Sequence, residues 1–175
     1  MSAAVHVPVL SAGTWTLSDS RTRVTFAVRN LGRPARGSVA CRWGALDVNT
    51  GGAPVHVAAE LDLESIDTGI ARRDADLRRP GFLDIDRHPT MTWVADRFEQ
   101  SDDGRWTGDG TLTVRGTAAP LAVTALAEVL PDGWVRVRAT ASLDRRAVGI
   151  RAPRFVIGCR VRIDIDAWLS RRRPW

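Results

Sequence analysis

The residues able to do chemistry are few and scattered along the chain. Arg73 and Asp74 stand side by side in a charged stretch. Such a pair can hold an anionic or carbonyl headgroup through several donors while the acid orients the guanidinium. The competing reading is an ion pair with capping bonds that pins a loop to the body of the fold. His6, His56 and His88 are too far apart for a sequence-local metal motif, and Cys41 and Cys159 are too few for a disulfide framework or a zinc site. Ser65 and Ser142 have no base beside them, and no nucleophile elbow, phosphate-binding glycine loop or Cys-x-x-Cys occurs. Asp84 and Asp86 read as turn and capping groups rather than as a glycosidase pair. The expectation is no catalytic constellation, no metal and no cofactor.

What remains is a surface rich in arginine. All 25 basic residues are Arg, and the net charge is +5. Because Arg is mostly interleaved with Asp, the pattern lacks the dense basic patch that marks a nucleic-acid binder. The one basic run, Arg171 to Arg173, reads as a solvated tail. The first 20 residues contain no Lys or Arg and no sustained apolar stretch, so a cytoplasmic address is expected. With 175 residues, 44% apolar and 26% charged, the chain suits one soluble globular domain.

The elements that must position any site are strands. Alternation with period two recurs throughout the chain, as in a sheet with one dry face and one wet face. In 55–63 the residues Val55, Val57, Ala59, Leu61 and Leu63 share a face, and in 159–167 Cys159, Val161, Ile163, Ile165 and Ala167 do. Similar runs cover 21–29, 37–48, 90–98, 106–114, 121–129 and 135–143, with Cys41 in step with Val39 and Trp43. That predicts eight strands joined by turns such as Asn49 to Gly52, Asp102 to Gly104 and Pro131 to Gly133. Short connectors imply antiparallel hairpins, and closure into a barrel removes exposed edges. Thr68 to Arg79 fits a short helix stopped by Pro80, placing a helical insertion between the third and fourth strands.

The size of the inward residues decides whether such a barrel is full or hollow. On 121–129 and 135–143 they are Leu121, Val123, Ala125, Ala127, Val129, Val135, Val137, Ala139, Ala141 and Leu143, and the preceding strand contributes Gly108 and Gly110. Three successive strands therefore carry little bulk at mid-height. Either a cavity lies there, or rings from the opposite wall fill it, with Trp43, Trp93 and Phe26 as the candidates. An apolar, uncharged lining suits an alkyl or prenyl chain.

The insertion and the strands after it carry a resemblance. Ser65-Ile66-Asp67-Thr68-Gly69, Arg73-Asp74 with Leu77, Phe82-Leu83-Asp84 and Pro89 come first; Gly110 to Gly116 with Pro120, then Asp144-Arg145 with Gly149-Ile150, come after them in order. The series resembles the YceI-like family of lipocalin-like, isoprenoid-binding proteins, from about Trp15 to Trp168. The resemblance implies an all-β fold: an extended eight-stranded antiparallel barrel whose tunnel holds a polyisoprenoid, quinone-like or fatty amphiphile. It also implies pairing into homodimers, and a domain over 14–169 between an N-terminal tail, 1–13, and a basic tail, 170–175. The chain departs from the family pattern at Arg21-Thr22, where a His-Ser pair is usual, and at Asp76, where the family's Arg-Asp-x-His-Leu has His.

The expected function is that of a binding protein that shields a long apolar ligand, an isoprenoid or other long-chain lipid. Its expected lining is Phe26, Trp43, Trp93, Leu112, Val123, Ala125, Val137, Ala139 and Ile163, with Arg73 and Asp74 at the headgroup. The rival is an isomerase or cyclase using the tunnel as a reaction chamber, with Asp74, Asp76 or Arg145 projecting into it. A third reading, a nucleic-acid-binding barrel using outward Arg136, Arg138, Arg160 and Arg162, lacks an exposed stacking platform. Outward Trp134 and Trp168 are the candidates for an interface.

Overall fold

The computed structural model describes residues 9–151 and 157–171. His6, Arg172 and Arg173 lie outside them. The alternating segments form nine strands: β1 (Gly13–Leu17), β2 (Arg23–Asn30), β3 (Arg33–Val48), β4 (Pro54–Asp67), β5 (Thr90–Gln100), β6 (Trp106–Val114), β7 (Thr117–Val129), β8 (Val135–Asp144) and β9 (Ile157–Arg171). Every pairing is antiparallel, and the ring β2-β9-β8-β7-β6-β5-β4-β3 closes back on β2.

The additional strand does not enlarge the barrel. β1 pairs with the C-terminal parts of β3 and β9, as in Gly13↔Val48 and Trp15↔Arg171, while β2 pairs with the other halves of the same two strands. Together β1 and β2 occupy one of eight positions in line. The interruption between them is stitched to β9: the Ser18 amide donates to the Trp168 carbonyl (2.7 Å), and the Trp168 amide donates to Thr22 Oγ1 (3.2 Å).

Strand length makes the barrel tall. β3, β4 and β9 run 16, 14 and 15 residues. At about 3.3 Å per residue and a tilt of about 40°, strands of this length span roughly 40 Å along the axis. Two apolar clusters pack along that height. One surrounds Leu63, Ile85, Val114 and Val148, and the other surrounds Trp15, Leu46, Val135 and Leu169.

The insertion lies between β4 and β5, the third and fourth of the strands read from the sequence. Its helix, α1 (Ala71–Leu77), is shorter than expected at both ends. Gly69 takes a left-handed φ of 74°, which breaks any helix begun at Thr68. At the other end the chain turns at Arg78, two residues before Pro80. Leu83 and Ile85 then seat in the first cluster and fasten the insertion to the barrel.

After β8 a 3-10 turn, Arg145–Val148, is capped by Asp144, which accepts from the Arg146 amide (3.0 Å). The Arg146 guanidinium clasps the same carboxylate from Nε (2.9 Å) and Nη2 (2.6 Å). These bonds hold the Asp144 carboxyl down to about 2, from an ordinary 3.8. A depressed folded pKa means that the cap's contribution is complete above about pH 4 and is lost as pH falls through 2. Carboxyl NMR titration is expected to place the Asp144 midpoint near 2 in the native protein, and to move it up toward the ordinary range in an Arg146→Ala variant, which loses the guanidinium but keeps the amide bond.

Candidate ligand tunnel

Two cavities lie inside the barrel. The far chamber, about 230 Å³, sits at the end where β1 closes the ring. The larger one, about 510 Å³, sits under α1. They share a waist of Val24, Leu61, Met91, Leu112 and Ile163, so they stand end to end along the axis.

Small residues open the far chamber. Ala125, Ala127, Val137, Ala139 and Ala141 line it from β7 and β8, with Val123 beside them. Of the ten residues predicted to face inward on these two strands, Val129 does not: it is 45% exposed, at the strand's end. The opposite wall adds Leu17, Thr22 and Cys41, and Leu10 closes the end.

The rings do not cross the lumen. Trp93, on β5, leans over Gly110 of the neighbouring strand and donates from Nε1 to the Leu121 carbonyl (3.0 Å). Phe98 lies over Gly108, its direct partner in the ladder, and Phe26 over Gly37, its partner on β3. At each site the absent Cβ lets an aromatic ring lie flat against the wall, which leaves the lumen clear. Of the two alternatives the sequence leaves open, a cavity or filling by rings, the structure has the cavity. A Cβ on Gly110 would collide with the Trp93 indole at Cε2 and Nε1. Gly110→Ala therefore forces the indole off the wall and breaks its bond to Leu121. The expected loss is about 1–3 kcal/mol, a fall in Tm of several degrees for a chain of this size, checked by thermal melting.

Of the predicted lining residues, Trp93, Val123, Ala125, Val137 and Ala139 face the far chamber, and Leu112 and Ile163 form the waist. Phe26 faces the larger chamber. Trp43 does not belong with them. The β3 register slips between Cys41 and Trp43, which puts Trp43 opposite Glu60 on the outer face, 46% exposed, and turns Gly44 and Leu46 inward. The Cys41 thiol sits at this bulge, donating toward the carbonyls of Trp43 (3.3 Å) and Glu60 (3.5 Å), and burial pushes its pKa up to about 11. Val55, expected inside, lies near the start of β4 and is 43% exposed. Phe98 and Trp106 line the far chamber without having been anticipated. A second slip, between Ala95 and Arg97, turns Phe98 inward, and the adjacent charged residues Asp96 and Arg97 are the sequence signal that alternation breaks there.

Under α1 the lining becomes polar. Thr68, Arg72, Arg73, Asp76 and Arg145 reach the larger chamber, as does Asn30. Arg73 and Asp74 do not pair directly; both bind Thr68. Asp74 accepts from the Thr68 amide (3.0 Å) and hydroxyl (2.5 Å), while Arg73 donates to Thr68 Oγ1 and to its carbonyl, each at 2.9 Å. Asp74 is thus a tie for the insertion and is not part of the lining, whereas Arg73 lines the chamber. Asp76 pairs with Arg79 (3.1 Å). Arg145, 3% exposed, donates to the carbonyls of Ile150 (2.8 Å), Ile157 (2.9 Å) and Gly158 (2.9 Å).

Other residues singled out in the sequence have structural partners. Ser65 Oγ donates to the Asp62 carbonyl and accepts from the Ala40 amide, Ser142 accepts from Arg160, and His56 bonds to Asp96. Asp86 pairs with Arg78. On the outside, Arg21 lies over Trp134 and Trp168, and Arg136 lies over Trp168 while clasping Asp166. These two tryptophans are therefore covered by guanidinium groups. Among the described residues no group of three His, Cys, Asp or Glu side chains is placed to hold a metal, and no helix is long and apolar enough to cross a membrane.

Known proteins share this architecture. The structure of BcnA from Burkholderia cenocepacia superposes with a TM-score of 0.76 at 13% identity, over 89% of this chain and 99% of that one. A polyisoprenoid binding domain from Saccharophagus degradans superposes with a TM-score of 0.70 at 13% identity, over 90% and 98%. In sequence, a UPF0312 protein of Vibrio cholerae is 23% identical over 95% of this chain and 91% of its own length. One from Ectopseudomonas mendocina is 30% identical over 39% of this chain, a match that spans 36% of that relative. The model of the YceI-like domain matches residues 15–169, nearly the whole barrel. The chain belongs to the YceI-like family.

Proposed function

We propose that this protein binds a long-chain apolar or amphiphilic molecule, of the polyisoprenoid, quinone-like or fatty class, lengthwise in the tunnel and carries or stores it. The observation that carries this reading is the pair of chambers joined at an apolar waist in a tall barrel, with charged groups gathered at one end only. Each methylene moved from water into such a lining contributes about 0.8 kcal/mol, so a long chain needs no specific chemistry to bind. The fold shared with a polyisoprenoid binding domain supports the same reading.

The geometry favours a carrier over a reaction chamber. An enzyme acting on an apolar substrate needs a polar group free to project into the tunnel. Of the candidates, Asp74 is committed to Thr68, Asp76 to Arg79, and Arg145 to backbone carbonyls. Two of the four outward arginines are balanced by acids, Arg136 by Asp166 and Arg162 by Asp164, and Arg160 donates to Ser142, which weakens the case for a nucleic-acid surface.

Trp93 and Trp106 line the far chamber and report on it. A brominated long-chain acyl probe added to delipidated protein is expected to quench tryptophan fluorescence saturably at one probe per chain. A Trp93→Phe variant is expected to lose a large part of the quenching. Absence of saturable quenching in the native protein contradicts the reading.

A further inference from the structure

We propose that the chamber under α1 receives an anionic headgroup, a carboxylate or phosphate at the end of the bound chain, and that Arg72 and Arg73 recognise it. This rests on the tunnel reading above and adds the chemical class of the ligand's polar end.

The charges of the insertion are unequally paired. Four arginines stand on or beside α1: Arg72, Arg73, Arg78 and Arg79. Arg78 pairs with Asp86 (2.9 Å) and Arg79 with Asp76 (3.1 Å); neither arginine lines the chamber, whereas Asp76 does, with its charge answered by Arg79. Arg72 and Arg73 do line it, and among the described residues neither meets a carboxylate. Segments 1–8, 152–156 and 172–175 contain no Asp or Glu, so no acidic side chain outside the described residues is available to them.

The nearest acid on the helix is already engaged: Asp74 accepts two bonds from Thr68. Arg73 places Nε and Nη2 on the same threonine, which fixes the guanidinium and leaves Nη1 for a ligand. Arg72 is exposed at the mouth beside Ile70, itself 52% exposed, so the chamber meets solvent where these cations stand. An apolar tunnel ending in two arginines without acidic partners complements an amphiphile with a negative end. A guanidinium presents paired donors that match the oxygens of carboxylate and phosphate. A neutral prenol or quinone leaves both charges unanswered.

Three probes with the same chain separate the headgroup from the tunnel: lauric acid, lauryl phosphate and lauryl alcohol, each titrated into delipidated full-length protein at low and high salt. Both anions are expected to bind about tenfold more tightly than the alcohol at low salt, the difference shrinking as salt screens the exposed partner. Arg72→Gln, at an exposed position that holds no structural bond among the described residues, is expected to erase most of that difference, read as the ratio of anion to alcohol affinity within the variant. Lauryl phosphate above laurate assigns the mouth to phosphates, and the reverse order to carboxylates. If the alcohol binds as well as both anions and Arg72→Gln alters nothing, the headgroup assignment is overturned and the tunnel reading stands. If none of the three binds, both fall.

Discussion

Ala139→Phe is expected to weaken binding of a long-chain ligand about a hundredfold with little loss of fold stability. Ala139 faces the far chamber from β8, opposite Ala125 on β7 and Ile165 on β9. A phenyl group there occupies much of a space of about 230 Å³. It displaces three or four methylenes of the guest, each contributing about 0.8 kcal/mol, and every 1.4 kcal/mol is tenfold in affinity. Because the ring enters empty space rather than a filled core, the overpacking cost is small. Trp43→Ala provides the control. That side chain is on the outer face, so its loss is expected to leave affinity unchanged, although its bulk would make it a first choice for the lining. Titration of both variants with a long-chain probe decides the point: equal affinities for wild type and Ala139→Phe place the ligand elsewhere.

Arg145→Ala is expected to cost about 4 kcal/mol of stability, the scale of leaving several buried acceptors unanswered, and to lower Tm by roughly 10 °C. The guanidinium holds the carbonyls of Ile150, Ile157 and Gly158 together, which fixes the start of β9 against the end of the 3-10 turn. Arg145→Lys keeps the charge but lacks the planar fork, so it is expected to recover only part of the loss. Thermal melting reads the size of the effect, and amide hydrogen exchange at Ile157 and Gly158 reads its place. A change below about 1 kcal/mol in Arg145→Ala contradicts this role.

Much of this was visible in the alternation of residue types. The eight long strands, the inward alanines of β7 and β8 and the sparse bulk at Gly108 and Gly110 follow from period two, because a closed barrel keeps one face dry over its whole length. Parity failed where the ladder slips. Across Cys41 to Trp43 and Ala95 to Arg97 a bulge shifts the count by one, exchanging Trp43 for Gly44 and bringing Phe98 inward. β1 escaped because five residues interrupted by a loop leave too short a pattern to read. The family motif located the insertion but not its wiring. That Asp74 turns to Thr68 while Arg73 stays in the lining depends on the turn at Gly69, and that Arg145 is buried depends on carbonyls brought from β9. Neither is encoded in local spacing.

The most direct test of the tunnel as a binding site is native mass spectrometry of the purified protein, followed by organic extraction and identification of the released molecules. The account predicts one long-chain amphiphile per chain, retained in the native protein, released on denaturation and replaced by an added isoprenoid or fatty acid when the protein is first delipidated. A protein that carries nothing after purification and takes up neither class of probe would contradict it.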